Sequence, residues 1–238
     1  MGERPTPGFL THIRREVERR TGTVEVLDVG GGSWTPVEHP NARHTVIEIS
    51  RESLVRSAHY AAEQLLGDIQ TFDFGSRRFD IVVFWNVLEH VPEPSAALRR
   101  AAAVVQPGGL VIVRGPELAS LKALVTRLTP HRLHVLFYRH VLGSAAAGQP
   151  GRAPFKVEHA AGADRAALAS LLESLGLSRD YDERYVGDQV HAVRSFSRAA
   201  YRLYKVAEAT LRAGSLGRLG IPETEFVIAY RAPGGRRM

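Results

Sequence analysis

Apolar residues follow two different periods along the first half of the chain. Continuous apolar runs rich in valine and isoleucine are typical of strands buried on both faces of a sheet. Between these runs, apolar residues recur every three or four positions, as on one face of a helix. The patterns predict strands at 24–29, 44–49, 79–87 and 109–115, a helix and then a short strand within 51–66, and helices at 9–20 and 94–105. Such alternation predicts a parallel sheet with helices on both faces.

The second half of the chain has longer helical patterns and one closing strand. A helix predicted at 164–177 is stopped by Gly176, and apolar residues at helical spacing predict a further helix over 188–212. A strand is predicted at 224–232. Because no repeat or linker divides the sequence, we expect residues 1–238 to form a single domain.

Composition changes this picture mainly through charge. With 44% hydrophobic residues the chain can bury a sizeable core, and without cysteine it has neither disulfides nor thiolate metal sites. The net charge is +6, and residues 1–118 have 13 basic against 15 acidic side chains, while residues 119–238 have 18 against 10. Arginine makes up 28 of the 31 basic residues, a bias that fits a GC-rich genome better than nucleic-acid binding. We therefore expect no nucleic-acid partner.

Nothing in the sequence predicts export or membrane insertion. No apolar run approaches the roughly 20 residues that a bilayer span needs. The first ten residues lack the apolar core of a signal peptide. We therefore expect a soluble cytoplasmic protein with no membrane span.

A run of three glycines follows the first predicted strand, where the chain is expected to turn into a helix. Glycines let a ligand approach the backbone, and a helix N-terminus offers free N–H groups. Dinucleotide-binding turns have a third required glycine where this chain has Thr35. The acid Asp28 precedes the run, and a carboxylate there repels a pyrophosphate but accepts hydrogen bonds from an ammonium group. The pattern favours a cofactor with a cation and no phosphate.

In these residues the sequence resembles the class I S-adenosylmethionine-dependent methyltransferases, whose first motif is an acid, one residue and a glycine-rich turn. Later segments match the family in order: Glu48 lies 20 residues beyond Asp28, Asp68 follows the third strand, and Asn86 follows the fourth. The resemblance covers about half the chain and implies a Rossmann-like, doubly wound, seven-stranded sheet. That sheet would be mostly parallel with an antiparallel last strand, and residues 24–117 would form its cofactor-binding core.

The resemblance also implies roles in binding S-adenosylmethionine. Gly30 and Gly32 would line the methionine part of the cofactor, and Asp28 would lie near its amino group, directly or through water. A carboxylate about 20 residues past the turn takes ribose hydroxyls in Rossmann-like folds, which is the position of Glu48.

Three further positions complete the implied cofactor site. Asp68 would bind the adenine amine, the backbone of Ile69 would contact the ring edge, and Asn86 would lie under the cofactor at the carboxyl edge of the sheet. S-adenosylhomocysteine would be the product. The implied cofactor-binding residues are Asp28, Gly30, Gly31, Gly32, Glu48, Ile49, Asp68, Ile69 and Asn86.

The stretch "NVLEHV" is similar to one in ubiquinone-biosynthesis O-methyltransferases, where Glu-x-x-Glu-His implies metal ligands. Here Asn86 replaces the first glutamate, while Glu89 and His90 remain. The loss of one carboxylate weakens a site for a hard cation, so we expect no metal. His90 then either faces the substrate or is a packed neighbour of Glu89, whose charge favours a helix N-terminus.

Two segments exceed the minimal fold, residues 118–160, called the lid segment below, and residues 188–218. The lid segment is apolar on more than one helix face, so either an aromatic or lipid-like substrate beneath it or a dimer partner would cover it. Its histidines His131, His134 and His140 either supply a general base or form a solvated basic face. The candidate catalytic residues are His90, His131 and His134.

The leading hypothesis is methyl transfer to an OH or NH group of a small aromatic, quinone-like or natural-product acceptor. An RNA or protein methyltransferase is an alternative that the basic second half suggests. A non-catalytic protein that binds S-adenosylmethionine is the third hypothesis, because an intact cofactor site does not prove turnover.

Overall fold

A seven-stranded sheet forms the centre of the part of the chain that the computed structural model describes, residues 6–149, 152–155 and 162–234. Its strands are β1 Val24–Val29, β2 Ala42–Glu48, β3 Ala61–Leu66, β4 Phe79–Trp85, β5 Val105–Pro116, β6 Ser178–Tyr185 and β7 Glu225–Arg231. Their order is β3-β2-β1-β4-β5-β7-β6. Only β7 is antiparallel to its neighbours, β5 and β6. The fold class predicted from the sequence is confirmed.

Helices flank the sheet and extend from its carboxyl edge. They are α1 Pro7–Glu18, α2 Arg51–Arg56, α3 Pro94–Val104, α4 Leu121–Leu128, α5 His131–His140, α6 Arg165–Ser174, α7 Asp188–Phe196 and α8 Arg198–Gly214. A 3-10 turn, Leu88–His90, follows β4. In the described residues, no helix is both long and apolar enough to span a membrane.

The core has two parts, one on each face of the sheet. Along β4, Val82 and Phe84 point to one face and Ile81 and Val83 to the other, as the two-residue period of a strand requires. Helices α3 and α6 cover the first face, and α1 covers the second. The central strands are therefore apolar on both faces, which explains their continuous apolar runs.

The structure has two helices, α7 and α8, where the sequence pattern predicted one helix over 188–212. Ser197 lies between α7 and α8 in an extended conformation, with φ −155° and ψ 116°, and its hydroxyl accepts a hydrogen bond from the N–H of Ala200. Serine is a preferred N-cap because its oxygen satisfies a free N–H of the first turn. Because the helical spacing of apolar residues continues past Ser197, the sequence pattern does not indicate this break.

Strand β6 was missed because it has no apolar pattern. It reads SRDYDERY, lies at the sheet edge next to β7, and has no buried residue. Charged residues are common on edge strands, where they discourage pairing with another chain. Hydrophobic periodicity therefore gives no signal for this strand.

Packing of α3 on the sheet should contribute strongly to stability. The side chain of Leu98 is fully buried in the larger core cluster. Leu98→Ala is expected to lower the free energy of unfolding by about 2–5 kcal/mol, since it removes buried methyl groups and leaves a cavity. Urea denaturation measures this loss. The control Leu10→Ala, at a 43% exposed position on α1, should cost under about 1 kcal/mol, and equal losses would contradict this packing.

Candidate active site

The glycine turn begins at the carboxyl end of β1. Gly30 and Gly32 have φ of +67° and +54°, in the left-handed region that favours glycine. The Gly30 N–H donates to the carbonyl of Ile47 at 2.9 Å, which ties the turn to β2. A Cβ atom on Gly30 would lie 2.7 Å from Cγ2 of Val87, in the loop after β4. Only glycine permits this close approach between the two strand ends.

No helix follows the turn, contrary to the expectation from the sequence. Residues 33–41 are irregular and connect directly to β2. Pro36 disfavours the helical conformation at Thr35, and Val37 is buried in the core on the α1 face. Free N–H groups for a ligand therefore come from the turn itself and not from a helix N-terminus.

Asp28 lies buried beneath the turn. Its carboxylate accepts a hydrogen bond from the hydroxyl of Tyr60 at 3.2 Å. A Cβ atom on Gly31 would lie 2.7 Å from the carboxyl carbon of Asp28, so Gly31 also requires the absence of a side chain. Burial raises the pKa of Asp28 to about 7, while the hydroxyls of Thr35 and Tyr60 oppose the shift.

Glu48 lies beside the turn at the carboxyl end of β2. It accepts a hydrogen bond from the N–H of Gly32, and Arg56 lies close to both residues. Burial raises the pKa of Glu48 to about 7, although the Gly32 N–H and the Arg56 charge favour the ionised form. The next side chain, Ile49, is exposed. The turn is thus flanked by two poorly solvated carboxyl groups, Asp28 and Glu48.

Asp68 follows β3, whose end is joined to β2 by a bond from the Gly67 N–H to the carbonyl of Glu48. The Asp68 carboxylate accepts hydrogen bonds from the backbone and side-chain amides of Gln70. These bonds leave one of its four lone-pair positions for another donor. The Ile69 side chain is buried in the core, so only its backbone is available to a ligand.

Asn86 ends β4 in a left-handed conformation, with φ +58°. Its N–H donates to the carbonyl of Arg114 at 3.0 Å, and its side-chain oxygen accepts a hydrogen bond from the Arg114 guanidinium. The strand order reverses between β1 and β4, which is where doubly wound sheets bind ligands. Gly30 and Asn86 thus lie on the two sides of that crevice.

A buried ion pair that the sequence analysis missed supports this edge of the sheet. Arg114 and Glu225 are each at most 2% exposed, with Nη2 and Oε2 3.1 Å apart. Lys122 also contacts Glu225, and the Arg114 Nε donates to the Tyr185 hydroxyl at 2.9 Å. In the sequence, only the position of Arg114 inside an otherwise apolar strand could have indicated this ion pair. Its partner lies 111 residues further along the chain, so no spacing pattern connects the two.

Glu89 and His90 lie in the 3-10 turn after β4. Burial raises the pKa of Glu89 to about 8, with a further increase from Glu225. The Nε2 of His90 is 4.0 Å from a Glu89 oxygen, and its ring lies 5.9 Å from that of Phe155. The structure therefore places His90 at the same edge as Asn86.

The lid histidines lie on α5. His134 Nε2 is hydrogen-bonded to the Thr129 hydroxyl at 2.7 Å, and the His131 ring is 5.9 Å from that of His134. The hydroxyl of Tyr138 on α5 accepts a hydrogen bond from Gln189 on α7 at 2.8 Å. Burial raises the pKa of this tyrosine, and Glu225 raises it further, which places α5 near the buried ion pair.

A second cluster of charged groups lies at the opposite edge of the sheet. His12, Glu16 and Asp180 bring three metal-ligand types together within the described residues, beside a cavity of about 480 Å³. The guanidinium of Arg231 contacts Glu16 at 2.8 Å and Asp180 at 2.7 Å. Arg231 thus pairs with both carboxylates and Arg19 pairs with Glu16 as well, so this cluster is a structural ion-pair network.

Comparison with known proteins gives a partial match. Residues 27–113 match the family model of a methyltransferase domain. A ubiquinone biosynthesis O-methyltransferase from Coxiella burnetii is 32% identical over 113 residues, or 43% of this chain and 47% of that protein. The chain thus spans about half the length of the curated relatives it matches.

Solved structures are similar over almost the whole chain. The N-methyltransferase NodS from Bradyrhizobium japonicum, in complex with S-adenosyl-L-homocysteine, has a TM-score of 0.54 at 16% identity and covers 95% of this chain and 86% of that one. The 4+2 cyclase SpnF has a TM-score of 0.56 at 17% identity, covering 98% and 88%. These likenesses show the fold alone.

The sheet order and the glycine turn at its switch point define a Rossmann-like α/β domain. Within it, residues 27–113 are the part that is similar to the methyltransferase-domain family.

The ligand-free protein should lose stability as the pH rises through 7. Burial raises the pKa values of Asp28 and Glu48 to about 7 and that of Glu89 to about 8, so the folded state retains protons that the unfolded state releases near pH 4. This stabilising contribution is complete below about pH 4 and is lost as the pH rises through about 7. Thermal melts from about pH 5 to about pH 8 should show a falling Tm.

Substitution of Glu48 measures how much of this pH dependence of Tm comes from the Glu48 carboxyl group. Glu48→Gln should flatten the fall in Tm, because the amide does not titrate. Glu93→Gln, at an exposed position, should keep the slope of the unmodified protein. A Tm that rises over this range, or an equal effect of both substitutions, would contradict the assignment.

Proposed function

We propose that the chain binds S-adenosylmethionine at the turn from Gly30 to Gly32 and transfers its methyl group to a small-molecule acceptor. The observation that carries the proposal is the pair of poorly solvated carboxyl groups, Asp28 and Glu48, beside a glycine turn at the switch point of the sheet. The complex of NodS with S-adenosyl-L-homocysteine and the name of the Coxiella burnetii relative support it.

The residues present fit such a cofactor. Glu48 has lost much of its hydration, and two ribose hydroxyls would replace the water it lacks. Asp28 lies beneath Gly31, so it would act on an ammonium group through the turn and its negative potential. Asp68 has a lone-pair position for the adenine amine, beside the backbone of Ile69.

The protein's own contribution to methyl transfer would be mainly positioning. S-adenosylmethionine, when bound, supplies an electrophilic methyl group on a positively charged sulfur. The Arg114 contacts hold Asn86 rigidly at the crevice, and α4 and α5 follow β5 directly, where they would exclude water from the acceptor. Removal of a proton from an OH or NH acceptor would need a base near neutral pKa, such as His90 or a lid histidine.

The chemistry of the acceptor is proposed from the lid segment and the charge of the second half. Aromatic and aliphatic residues of α5 would contact a conjugated, quinone-like or natural-product ring. The +8 charge of residues 119–238 would attract an acceptor with an acidic group. Asn86, Glu89 and His90 offer too few carboxylates for a hard cation, so the proposed reaction uses no metal.

Cofactor binding tests the proposal directly. Titration calorimetry should show that both S-adenosylmethionine and S-adenosylhomocysteine bind. Glu48→Gln should weaken binding by about 1.5–3 kcal/mol, the usual loss for a charge-assisted hydrogen bond. The matched substitution Glu93→Gln should leave affinity unchanged. Absence of binding at millimolar concentration would overturn the proposal, whereas binding without turnover on a panel of phenols and quinols would favour a non-catalytic protein.

Single alanine variants identify the base. Replacing the responsible histidine among His90, His131 and His134 should lower kcat about 10²–10⁴-fold, with cofactor affinity nearly unchanged. His39→Ala, in the loop between β1 and β2, is the control and should keep full turnover. If all three candidates also keep full turnover, none of them is the base.

A further inference from the structure

The outer face of α8 is both apolar and exposed. Leu203 and Val206 are 72% and 64% exposed, and Phe196, at the end of α7, is 63% exposed. The buried Glu208 marks the opposite side of α8, since Leu203 and Val206 lie five and two residues before it on a helix of 3.6 residues per turn. Both apolar side chains therefore point away from the body of the protein.

A stripe of positive charge runs beside these apolar residues. Arg198, Arg202 and Arg212 are exposed, and they share with Lys205 the spacing of four, three and seven residues that keeps side chains on one helix face. Each lies one residue before a small or apolar member of the outer face, so the two stripes are adjacent along the helix.

Almost no negative charge accompanies this surface. From residue 189 to residue 222 the chain has six arginines and lysines, and its one acid is Glu208. That carboxylate is buried and paired with Lys205, so it does not offset the arginines at the surface. The exposed face of α8 is therefore apolar along its centre and basic along one flank.

We infer that α8 docks on an anionic lipid surface, with Leu203 and Val206 inserted among the acyl chains and the arginines against the phosphate groups. An amphipathic helix with a basic flank has the chemistry of such a surface-bound helix. A second copy of the same face would bring like charges together, and a nucleic acid would leave the apolar stripe without a partner. This inference does not depend on the proposed function.

Co-sedimentation with vesicles tests the inference in the full chain. The protein should bind vesicles of phosphatidylcholine mixed with phosphatidylglycerol, should bind phosphatidylcholine alone much more weakly, and should be released by added salt. The double variant Leu203→Ser/Val206→Ser should bind at least about tenfold more weakly, because it removes the inserted apolar area. Arg198→Gln/Arg202→Gln should also lose at least about tenfold, through charge.

Matched substitutions on other helices show whether vesicle binding depends on the α8 surface or only on the overall charge and hydrophobicity of the protein. Leu10→Ser and Arg14→Gln/Arg99→Gln alter exposed positions on α1 and α3 and should leave vesicle binding unchanged. All of these substitutions are at exposed positions, and far-ultraviolet circular dichroism confirms folding of each variant before use.

Three outcomes would overturn the inference. The first is no binding to anionic vesicles at low salt. The second is a dimer in sedimentation equilibrium that Leu203→Ser/Val206→Ser dissociates, which would make the face an interface between two copies. The third is stronger binding to single-stranded RNA than to vesicles, with no effect of the serine substitutions. Calorimetry with S-adenosylhomocysteine on the same samples reports on the proposed function separately.

Discussion

The close approach of Gly30 to Val87 is the contact on which the site depends. A side chain at Gly30 would overlap Val87, so the ends of β1 and β4 meet only because that side chain is absent. The contact places the glycine turn against the loop that begins with Asn86, and the Gly30 N–H fixes the same turn to β2. The positions of the two flanking carboxyl groups follow from this geometry, since Asp28 precedes the turn and Glu48 ends the strand bonded to it.

Electrostatic strain accompanies this arrangement in the ligand-free protein. The turn and its neighbours remove Asp28 and Glu48 from water while offering them few hydrogen-bond donors, which is why their pKa values rise to about 7. At the same edge, Arg114 and Glu225 are buried but fully compensated by each other, with Asn86 and Lys122 as further partners. The proposed function gives the first pair to a ligand, whereas the second pair holds the strand ends rigid.

The features that could be predicted from the sequence are those that depend on residues close together in the chain. Continuous apolar runs such as that of β4 predicted buried strands, and the order of acids and glycines predicted the site residues that the structure brings to one edge. Prediction failed for strand β6, which is polar throughout. It also failed at Ser197, which caps α8 and ends α7 although the apolar spacing continues past it. The Arg114–Glu225 pair could not be predicted from the sequence, because sheet topology and not sequence spacing brings those residues together.

The helical segments outside residues 27–113 carry the features that distinguish this chain from the shared fold. No residue of α4 or α5 is fully buried, although Tyr138 is half-buried, and α8 presents an apolar and basic outer face. A common scaffold with variable additions is the usual way in which one fold takes on different acceptors and locations. The proposed cofactor site and these surfaces therefore call for separate experiments.

A crystal structure of the complex with S-adenosylhomocysteine tests the central claim most directly. The account predicts the ribose hydroxyls within hydrogen-bond distance of the Glu48 carboxylate, the amino-acid end of the ligand against Gly30 and Gly32, and Asn86 beneath it. A ligand bound elsewhere on the sheet edge, with Glu48 free of contact, would contradict it.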